Sequence, residues 1–215
     1  MKSYVVAGLG LFGSAVARKL SELGCEVLAM DVRPELVQEI SNSVTHAVVG
    51  DAQDQEVLRA LGVRDFDCAI IAIGDDLAAS VLATMNMQEL GVGYIVCKAH
   101  DDKHRKVLEK MGANRVVIPE QENARRLARS LSAPNLLDYI ELSSDCGIVE
   151  VPAPAQWKGK SLKELDVRAK YGINIIAIER EGKVNASLTA DYRFAPEDII
   201  VVLGDAKTIE KVQKL

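Results

Sequence analysis

The chain has 215 residues, of which 48% are hydrophobic and 27% charged, so it can bury a substantial core and is not intrinsically disordered. Its 31 acidic against 26 basic residues give a net charge of −5, which argues against a nucleic-acid-binding protein. The sequence contains no run approaching the roughly 18 uncharged apolar residues of a membrane helix, and its first residues lack the layout of a signal peptide. We therefore expect a soluble, cytoplasmic protein without a nucleic-acid partner.

The first 118 residues alternate short β-branched runs with longer stretches whose apolar residues recur at helical spacing. Glycines follow several of these stretches, where a helix that ends before the next strand needs a left-handed residue. This alternation predicts an α/β fold with a Rossmann-like, doubly wound parallel sheet. The six predicted strands lie at 4–7, 27–30, 47–49, 68–73, 94–98 and 115–118.

The pattern changes after residue 118. A helix is predicted over 120–131 and a short apolar helix over 136–142. The remainder predicts a small α+β lobe with helices at 162–165 and 206–212 and strands at 148–151, 173–179, 183–187 and 199–203. We therefore divide the chain into a Rossmann-like domain (1–119), a helix and linker (120–142) and a C-terminal lobe (143–215).

A Gly-x-Gly-x-x-Gly pattern lies between the first predicted strand and the first predicted helix. Gly8 permits a tight turn, Gly10 lets a pyrophosphate approach the backbone, and Gly13 lets helix and strand pack closely. The free N–H groups at the start of the helix favour an anion. The pattern predicts a nucleotide phosphate site, and the alternative is a tight strand-to-helix turn without a ligand.

An acidic residue follows this loop at the spacing typical of a ribose contact. Asp31 ends the second predicted strand 23 positions after Gly8, where a carboxylate accepts both hydroxyls of an adenosine ribose. The alternative is a cap for the helix that begins at Pro34. An acid at this position disfavours NADP, although Arg33 leaves NADP open, and NAD, ATP, ADP and AMP all remain candidates.

Two further strand ends carry candidate residues. Asp51 and Ala52 follow the third strand, at the edge where this fold lines its adenine and ribose pocket. The alternative for Asp51 is the N-cap of a helix that begins near Gln53. The fourth strand ends in small residues, which would let a ligand approach the backbone or would simply precede the caps of the next helix. These residues are Ala72, Ile73 and Gly74, followed by the capping candidates Asp75 and Asp76.

The sequence offers few groups for catalysis. His100 and His104 are four residues apart at a predicted helix start, a spacing that suits a metal ion but is more typical of a charged, solvated helix face. Neither a HExxH nor a GxSxG motif occurs, and the four cysteines are far apart and expected to be buried, reduced thiols. We therefore expect a binding protein and not an enzyme. A small NAD-dependent oxidoreductase is the enzymatic alternative.

Longer motifs extend through both domains. In the first they are VVAGLGLFG at 5–13, LAMD at 28–31, THAVVGDAQD at 45–54, IIAIGDD at 70–76 and GANRVVIPE at 112–120. In the second they are KSLKELDVRAKYGINIIAIEREG at 160–182, PEDI at 196–199 and VVLGD at 201–205. With these motifs the chain resembles the RCK (regulator of potassium conductance) proteins, specifically the cytosolic regulatory subunits of Trk/Ktr potassium uptake systems of the KtrA type. The second set makes the resemblance specific, because ordinary dehydrogenases share only the first.

The resemblance implies a nucleotide-binding domain, a crossover helix that forms dimers, and a C-terminal regulatory lobe. It implies dimers assembled into an octameric ring beneath an integral-membrane potassium-translocating subunit of the Trk/Ktr type, so that the protein lies at the inner face of the cell membrane. It also implies that ATP and ADP compete for the Rossmann pocket and that ATP favours an open potassium pathway. A regulator that senses NAD or NADH, and an assembly protein with a vestigial pocket, are the alternatives.

The same resemblance assigns roles to individual residues. It implies Lys98 as a phosphate cation, with a plain lysine at a strand end as the alternative. Glu120 would lie near the terminal phosphate, where a Mg²⁺ or Ca²⁺ ion at a subunit interface would reconcile two negative charges, or it would simply cap its helix. The nucleotide-site candidates are thus Gly8, Gly10, Leu11, Phe12, Gly13, Asp31, Arg33, Asp51, Ala52, Ala72, Ile73, Gly74, Lys98 and Glu120.

One position departs from the family pattern, and one further ligand is implied. Some KtrA-type proteins carry in the glycine loop an arginine that reaches the γ-phosphate, whereas the apolar Leu11 cannot supply that charge. Arg125, Arg126 or a neighbouring subunit would have to compensate. Some members bind cyclic di-AMP in the C-terminal lobe, and the isoleucines of that region alternatively belong to the core. The candidates for this second ligand are Arg168, Asn174, Ile175, Ile176 and Pro196.

Overall fold

The computed structural model describes residues 2–132, 138–143 and 146–205, which divide into two compact units between residues 120 and 121. The first unit contains a six-stranded sheet and the second a five-stranded sheet. No helix in the described parts of the chain is both long and apolar enough to cross a membrane. The three-part division made from the sequence, with a crossover helix between two lobes, stays a prediction.

All strands of the first sheet are parallel. They are β1 (Ser3–Ala7), β2 (Glu26–Asp31), β3 (His46–Val49), β4 (Cys68–Ile71), β5 (Ile95–Lys98) and β6 (Arg115–Val117). The helices between them are α1 (Leu11–Glu22), α2 (Pro34–Ile40), α3 (Gln55–Ala60), α4 (Leu77–Glu89) and α5 (Asp102–Lys110), and α6 (Pro119–Ser132) follows β6. The sheet order β3-β2-β1-β4-β5-β6 confirms the predicted Rossmann-like, doubly wound fold.

Burial explains why the central strands read as continuous apolar runs. In β1, the residues Val5, Val6 and Ala7 have no exposed surface, because side chains pack on both faces of the sheet. The predicted left-handed glycines are confirmed at the ends of the helical stretches, where φ lies between +65° and +100°. These glycines are Gly24, Gly62, Gly91 and Gly112.

The second sheet is antiparallel, with the order β10-β9-β11-β8-β7. Its strands are β7 (Asp138–Ser143), β8 (Cys146–Pro152), β9 (Asn174–Arg180), β10 (Lys183–Asn185) and β11 (Ile199–Asp205). Two short helices, α7 (Leu162–Leu165) and α8 (Val167–Tyr171), precede β9. The core combines aliphatic side chains with an aromatic cluster, in which the ring centroid of Trp157 lies 5.3 Å from that of Phe194 and 5.7 Å from that of Tyr171. This unit confirms the predicted α+β lobe.

The helix predicted over 136–142 is wrong, because residues 138–143 form β7 and pair with β8. The run of Tyr139, Ile140 and Leu142 suits either structure by pattern alone. A helix this short forms few hydrogen bonds of its own, whereas the edge of β8 supplies partners for the whole segment. Residues 133–137 and the helix predicted over 206–212 lie outside the described residues.

A buried carboxylate links several segments of the second unit. Asp198 is 1% exposed and accepts hydrogen bonds from the guanidinium of Arg180 at 2.6 and 3.0 Å. It also accepts from the Tyr192 hydroxyl and from the backbone N–H of Ala195, each at 2.9 Å. Burial alone would raise the pKa of Asp198, but these hydrogen bonds, first that from Arg180, lower it below its usual range.

Replacing Asp198 by alanine is expected to lower the free energy of unfolding of this unit by about 3 kcal/mol, because Arg180 and Tyr192 lose their shared acceptor. Since the pKa of Asp198 is lower in the folded protein, the stabilisation is present above the unfolded pKa of about 4 and is lost as the pH falls towards the folded value. Urea unfolding followed by the fluorescence of Trp157, the one tryptophan in the chain, measures both effects. The exposed Asp191→Ala variant is the control, and an equal loss of stability there would contradict the assignment.

Candidate nucleotide-binding site

The candidate residues lie along one edge of the parallel sheet. All six strands point the same way, so their carboxyl ends share that edge, which is where ligands bind in open α/β sheets. The central strands adjoin in the order β2-β1-β4-β5, and each of them is ended or followed by a candidate. From the β3 side of the sheet to the β6 side these residues are Asp51, Asp31, Gly8, Ala72, Lys98 and Glu120.

The glycine loop has the geometry that its sequence predicts. Gly8 has a φ of +96°, and a Cβ atom there would lie 2.9 Å from the carbonyl carbon of Ala72. At Gly13 a Cβ atom would lie 1.8 Å from the carbonyl oxygen of Gly8, so the close contact of helix and strand requires glycine. Gly10 is the N-cap of α1, and a Cβ atom added there would have no neighbour within 4 Å. The N-terminus of α1 is therefore open to an anion.

The two residues after Gly10 have different surroundings. Leu11 is 97% exposed in the first turn of α1, so an apolar side chain stands beside the open helix terminus. Phe12 instead lines a cavity of about 460 Å³ over one face of the sheet, together with Tyr4, Ile70 and Val96. The contribution of Phe12 to a phosphate site would therefore come from its backbone N–H group, while its side chain belongs to the cavity.

Asp31 is held rigidly at the end of β2. It is 7% exposed, and its Oδ2 atom accepts the backbone N–H of Leu9 at 2.7 Å. Its Oδ1 atom accepts the backbone N–H of Arg33 at 2.9 Å. Burial raises the pKa of Asp31, but hydrogen bonds from the Arg33 side chain and from these two N–H groups lower it, so that the carboxylate stays charged. The alternative role as a helix cap is wrong, because Arg33 is the N-cap of α2 and no side chain caps that helix.

Arg33 lies directly against this carboxylate. Its Nε atom is 3.1 Å from Oδ1 of Asp31 and its Nη2 atom is 3.4 Å from Oδ2. The Arg33 side chain is 54% exposed, whereas that of Asp31 is 5% exposed, so a half-exposed guanidinium lies against an almost fully buried carboxylate. The pKa of Arg33 is raised, first by this hydrogen bond with Asp31.

The turn after β3 is held by side-chain amides and carboxylates. Asp51 accepts the N–H of Gln53 at 2.9 Å, and helix α3 begins later, capped by Asp54. The alternative of Asp51 as the N-cap is therefore wrong. The side chain of Ala52 is buried in the core, which leaves only its backbone at the edge. Sequence reasoning missed Asn86 of α4, whose side-chain amide donates to the carbonyls of Ala52 and Gln53 and fixes this turn.

Lys98 places a positive charge at the end of β5. Its aliphatic chain and ammonium lie 3.3–3.4 Å from where a Cβ atom of Gly74 would be, so the small residue after β4 gives the lysine its space. The Nζ atom is 2.8 Å from Oε1 of Glu120, and Lys98 lowers the pKa of that carboxyl through this hydrogen bond. Glu120 therefore has a positive partner without a divalent cation. Asp76 accepts the N–H of Ala79 at 3.0 Å and caps α4, as one alternative for this region predicts.

Comparison with known proteins identifies the family. The TrkA-N domain matches residues 4–119 and the TrkA-C domain matches residues 147–215. The Ktr system potassium uptake protein C of Bacillus subtilis is 45% identical over 99% of this chain and 96% of its own length. The chain is a Ktr-type member of the TrkA-N/TrkA-C family. The Ktr system potassium uptake protein A of the same organism is 39% identical, also over 99% of this chain and 96% of its own length.

A solved structure shares the fold of this TrkA-family chain. The GsuK channel bound to NAD superposes with a TM-score of 0.67 at 19% identity, over 99% of this chain. The matched part is 39% of that longer chain, so the likeness concerns the fold of less than half of it. The resemblance to the RCK proteins of Trk/Ktr systems, stated from the sequence motifs, is confirmed by the family matches.

His104 does not lie on a solvated helix face, so the expectation from the sequence is wrong for this residue. It is buried, its Nδ1 atom accepts the N–H of His100 at 3.3 Å, and its Nε2 atom lies 3.0 Å from Oγ of Ser80. Burial lowers the pKa of His104, so the neutral ring is favoured. Both ring nitrogens have partners inside the protein. The described residues contain no group of three or more His, Cys, Asp or Glu side chains placed to hold a metal ion.

The four thiols are free, but only two of them are buried. Burial raises the pKa of Cys68 and of Cys97 to about 11, so neither is a reactive thiolate at neutral pH. Cys25 and Cys146 are half-buried, and the expectation of four buried thiols is wrong for these two. Cys25 lies in the turn before β2, and Cys146 is the first residue of β8.

The candidates for a second ligand lie on three elements of the TrkA-C domain. Arg168 is exposed on α8, Asn174 is exposed at the start of β9, and Pro196 is exposed in the turn before β11. Ile175 packs against the Trp157 core, as the alternative for the isoleucines predicts, whereas Ile176 is 38% exposed. Binding of cyclic di-AMP by these residues stays a prediction.

Proposed function

We propose that this chain is a nucleotide-binding regulatory subunit of a Ktr-type potassium transport system, in which ATP or ADP in the Rossmann-like domain switches the conformation of a cytosolic ring. The observation that carries the proposal is the convergence, at one sheet edge, of the open N-terminus of α1 at Gly10, the buried carboxylate of Asp31 and the ammonium of Lys98. These groups suit a phosphate, a ribose diol and a second phosphate, respectively.

The potassium part of the proposal is supported by the relatives. The chain matches two Ktr system potassium uptake proteins along almost its full length, and no activity of its own is needed for a regulatory role. In this proposal the protein lies in the cytoplasm, and its partner is an integral-membrane potassium-translocating subunit at the inner face of the cell membrane. Dimers of the chain assemble into an octameric ring that contacts this partner.

The groups at the edge suit binding without turnover. Asp31 is paired with Arg33, Lys98 with Glu120, and Asp51 with Gln53, so each charged group already has a hydrogen-bond partner in the protein. General acid–base catalysis needs a group whose pKa lies near the operating pH and which reaches a reacting atom. The pKa values of Asp31 and Glu120 are both lowered, away from neutrality. We therefore propose a sensor and not an oxidoreductase.

A sensor must bind two ligands with different affinity in its two conformations, since only a differential affinity shifts the equilibrium. ATP differs from ADP by the γ-phosphate, and the apolar Leu11 beside the open end of α1 offers that phosphate no charge. We propose that the positive group comes from a neighbouring subunit of the ring. A Mg²⁺ or Ca²⁺ ion between the phosphates and Glu120 would act in the same place, at the cost of the ion pair with Lys98.

The proposal is tested by titrating the purified apo-protein with ATP, ADP, NAD and NADH, with and without Mg²⁺, while light scattering reports the size of the particle. We expect ATP and ADP to bind to a particle of about eight chains, with dissociation constants of the order of micromolar. Binding of NAD or NADH alone would replace the proposal by redox sensing, and a monomer or dimer under all conditions would contradict the ring. Potassium flux in vesicles that hold a Ktr-type membrane subunit should then be higher with ATP than with ADP.

A further inference from the structure

In this structure four hydrogen bonds from the protein already reach the carboxylate of Asp31. An ionised carboxylate accepts about four hydrogen bonds, two at each oxygen. Oδ2 accepts the N–H of Leu9 at 2.7 Å and Nη2 of Arg33 at 3.4 Å. Oδ1 accepts the N–H of Arg33 at 2.9 Å and its Nε at 3.1 Å. The two backbone bonds fix the loop and the start of α2, so the two guanidinium bonds occupy the positions that ribose hydroxyls would take.

A nucleotide with a free ribose diol therefore has to displace the Arg33 guanidinium. The displaced group remains in a negative environment, because the charges of Glu35 and Asp75 also help to raise the pKa of Arg33. The Arg33 side chain is 54% exposed, so it can move into solvent without disrupting the core. Ribose hydroxyls would replace the two guanidinium hydrogen bonds on the buried carboxylate, so the displacement is expected to weaken binding of such a nucleotide by no more than about fivefold.

A 2′-phosphate on the ribose meets a different surface. The half-exposed guanidinium lies against Asp31 and compensates the negative charge that would repel a phosphate. Arginine binds phosphate through a planar fork of N–H donors, and such charge-assisted hydrogen bonds are the strong ones. The guanidinium can donate its remaining N–H groups to the 2′-phosphate while it stays hydrogen-bonded to Asp31.

We propose that Arg33 is the specificity-determining residue of this site and that it admits adenine nucleotides with a 2′-phosphate, the chemical class of NADP and NADPH, beside those with a free 2′-hydroxyl. The inference rests on the proposed function, since it concerns the ribose end of the same nucleotide pocket. It reverses the expectation from Asp31 alone, which disfavours this class. The geometry that carries it is the contact of one half-exposed arginine with both oxygens of one buried carboxylate.

The test uses three nucleotides that differ only in the position or presence of one phosphate: 5′-AMP, adenosine 2′,5′-bisphosphate and adenosine 3′,5′-bisphosphate. Isothermal titration of the full-length protein is expected to give the 2′,5′-bisphosphate an affinity at least equal to that of 5′-AMP. Arg33→Ala is expected to lower the affinity for the 2′,5′-bisphosphate by at least tenfold relative to the affinity for 5′-AMP, because a charge-assisted contact is lost. Arg33→Lys keeps the positive charge but loses the planar set of N–H donors. Its affinity for the 2′,5′-bisphosphate should lie between those of the unmodified protein and Arg33→Ala.

The 3′,5′-bisphosphate carries the same charge as the 2′,5′ isomer, so it separates the effect of phosphate position from that of total charge. Its affinity should change little in Arg33→Ala. Arg59→Ala is the matched control, because Arg59 is also a partly exposed arginine paired with a carboxylate, that of Glu56 on α3. Rejection of the 2′,5′-bisphosphate by the unmodified protein, or an equal loss for both isomers in Arg33→Ala, would overturn the inference while leaving the nucleotide site intact. Failure of all three nucleotides and of ADP to bind would instead overturn the proposed function, and this inference with it.

Discussion

Replacing Gly13 by alanine is expected to destabilise the parallel-sheet unit by about 4 kcal/mol or more, which places it among the most severe single substitutions. The added Cβ atom would lie 1.8 Å from the carbonyl oxygen of Gly8 and 3.0 Å from the Cβ atom of Ala72. Neither neighbour can move independently, because Gly8 donates its N–H to the carbonyl of Met30 and Ala72 donates its own to that of Ala7. Relief of the contact therefore requires α1 to move away from the sheet.

The matched control is Gly10→Ala in the same loop. Gly10 has φ −65° and ψ −173°, which any residue adopts, and an added Cβ atom would have nothing within 4 Å. We expect this variant to stay within about 1 kcal/mol of the unmodified protein, the usual effect of alanine at a helix N-cap. Urea unfolding followed by far-UV circular dichroism reports the helices of the first unit, and Trp157 fluorescence reports the second. Equal stability of the two variants would show that the loop tolerates a larger separation of helix and strand.

The fold could be predicted from sequence where its signals are local. The three glycines of the loop, the left-handed glycines after the helices and the apolar strands each depend on backbone conformation or burial within a few residues. The strand Asp138–Ser143 could not be predicted in this way, because its conformation depends on the edge of β8. Residues that pattern alone makes equally good in a helix or a strand adopt the one that supplies hydrogen-bond partners.

The candidate site shows the same division between local and distant contacts. The positions of Asp31 and Lys98 at the strand ends follow from the strand pattern, but their partners do not. The ion pair of Lys98 with Glu120 joins residues 22 positions apart in sequence, which only the adjacency of β5 and β6 brings together. The sequence pattern does not reveal this lysine contact, and from sequence alone a divalent cation is therefore expected between the negative charges of Glu120 and a phosphate. Asn86, whose amide holds the turn after β3, had only one signal: a polar residue within an otherwise apolar part of α4.

Replacing Lys98 by alanine is expected to lower the affinity for ADP and ATP by about tenfold to a hundredfold, which is the effect of losing one charge-assisted hydrogen bond to phosphate. Adenosine, which has no phosphate, should bind the variant as well as the unmodified protein. The Lys98 side chain is 18% exposed and packs against Gly74, so its ammonium is held at the edge and is not free in solvent. Calorimetric titration with adenosine and ADP measures both affinities. Lys110→Ala, at the exposed end of α5, is the control for a general loss of positive charge.

Glu120→Gln is expected to act in the opposite direction, because Glu120 competes with phosphate for the same ammonium at 2.8 Å. Without divalent cations we expect ADP to bind up to about fivefold more tightly, since an ion pair with one exposed partner contributes up to about 1 kcal/mol. Glu122→Gln removes a negative charge from another exposed side chain of α6 and should leave the affinity for ADP unchanged. If Mg²⁺ strengthens ADP binding in the unmodified protein and not in Glu120→Gln, Glu120 holds the cation with the phosphates. If ADP binds Glu120→Gln more weakly in the absence of any divalent cation, the carboxylate itself contacts the nucleotide and the competition between Glu120 and phosphate is refuted.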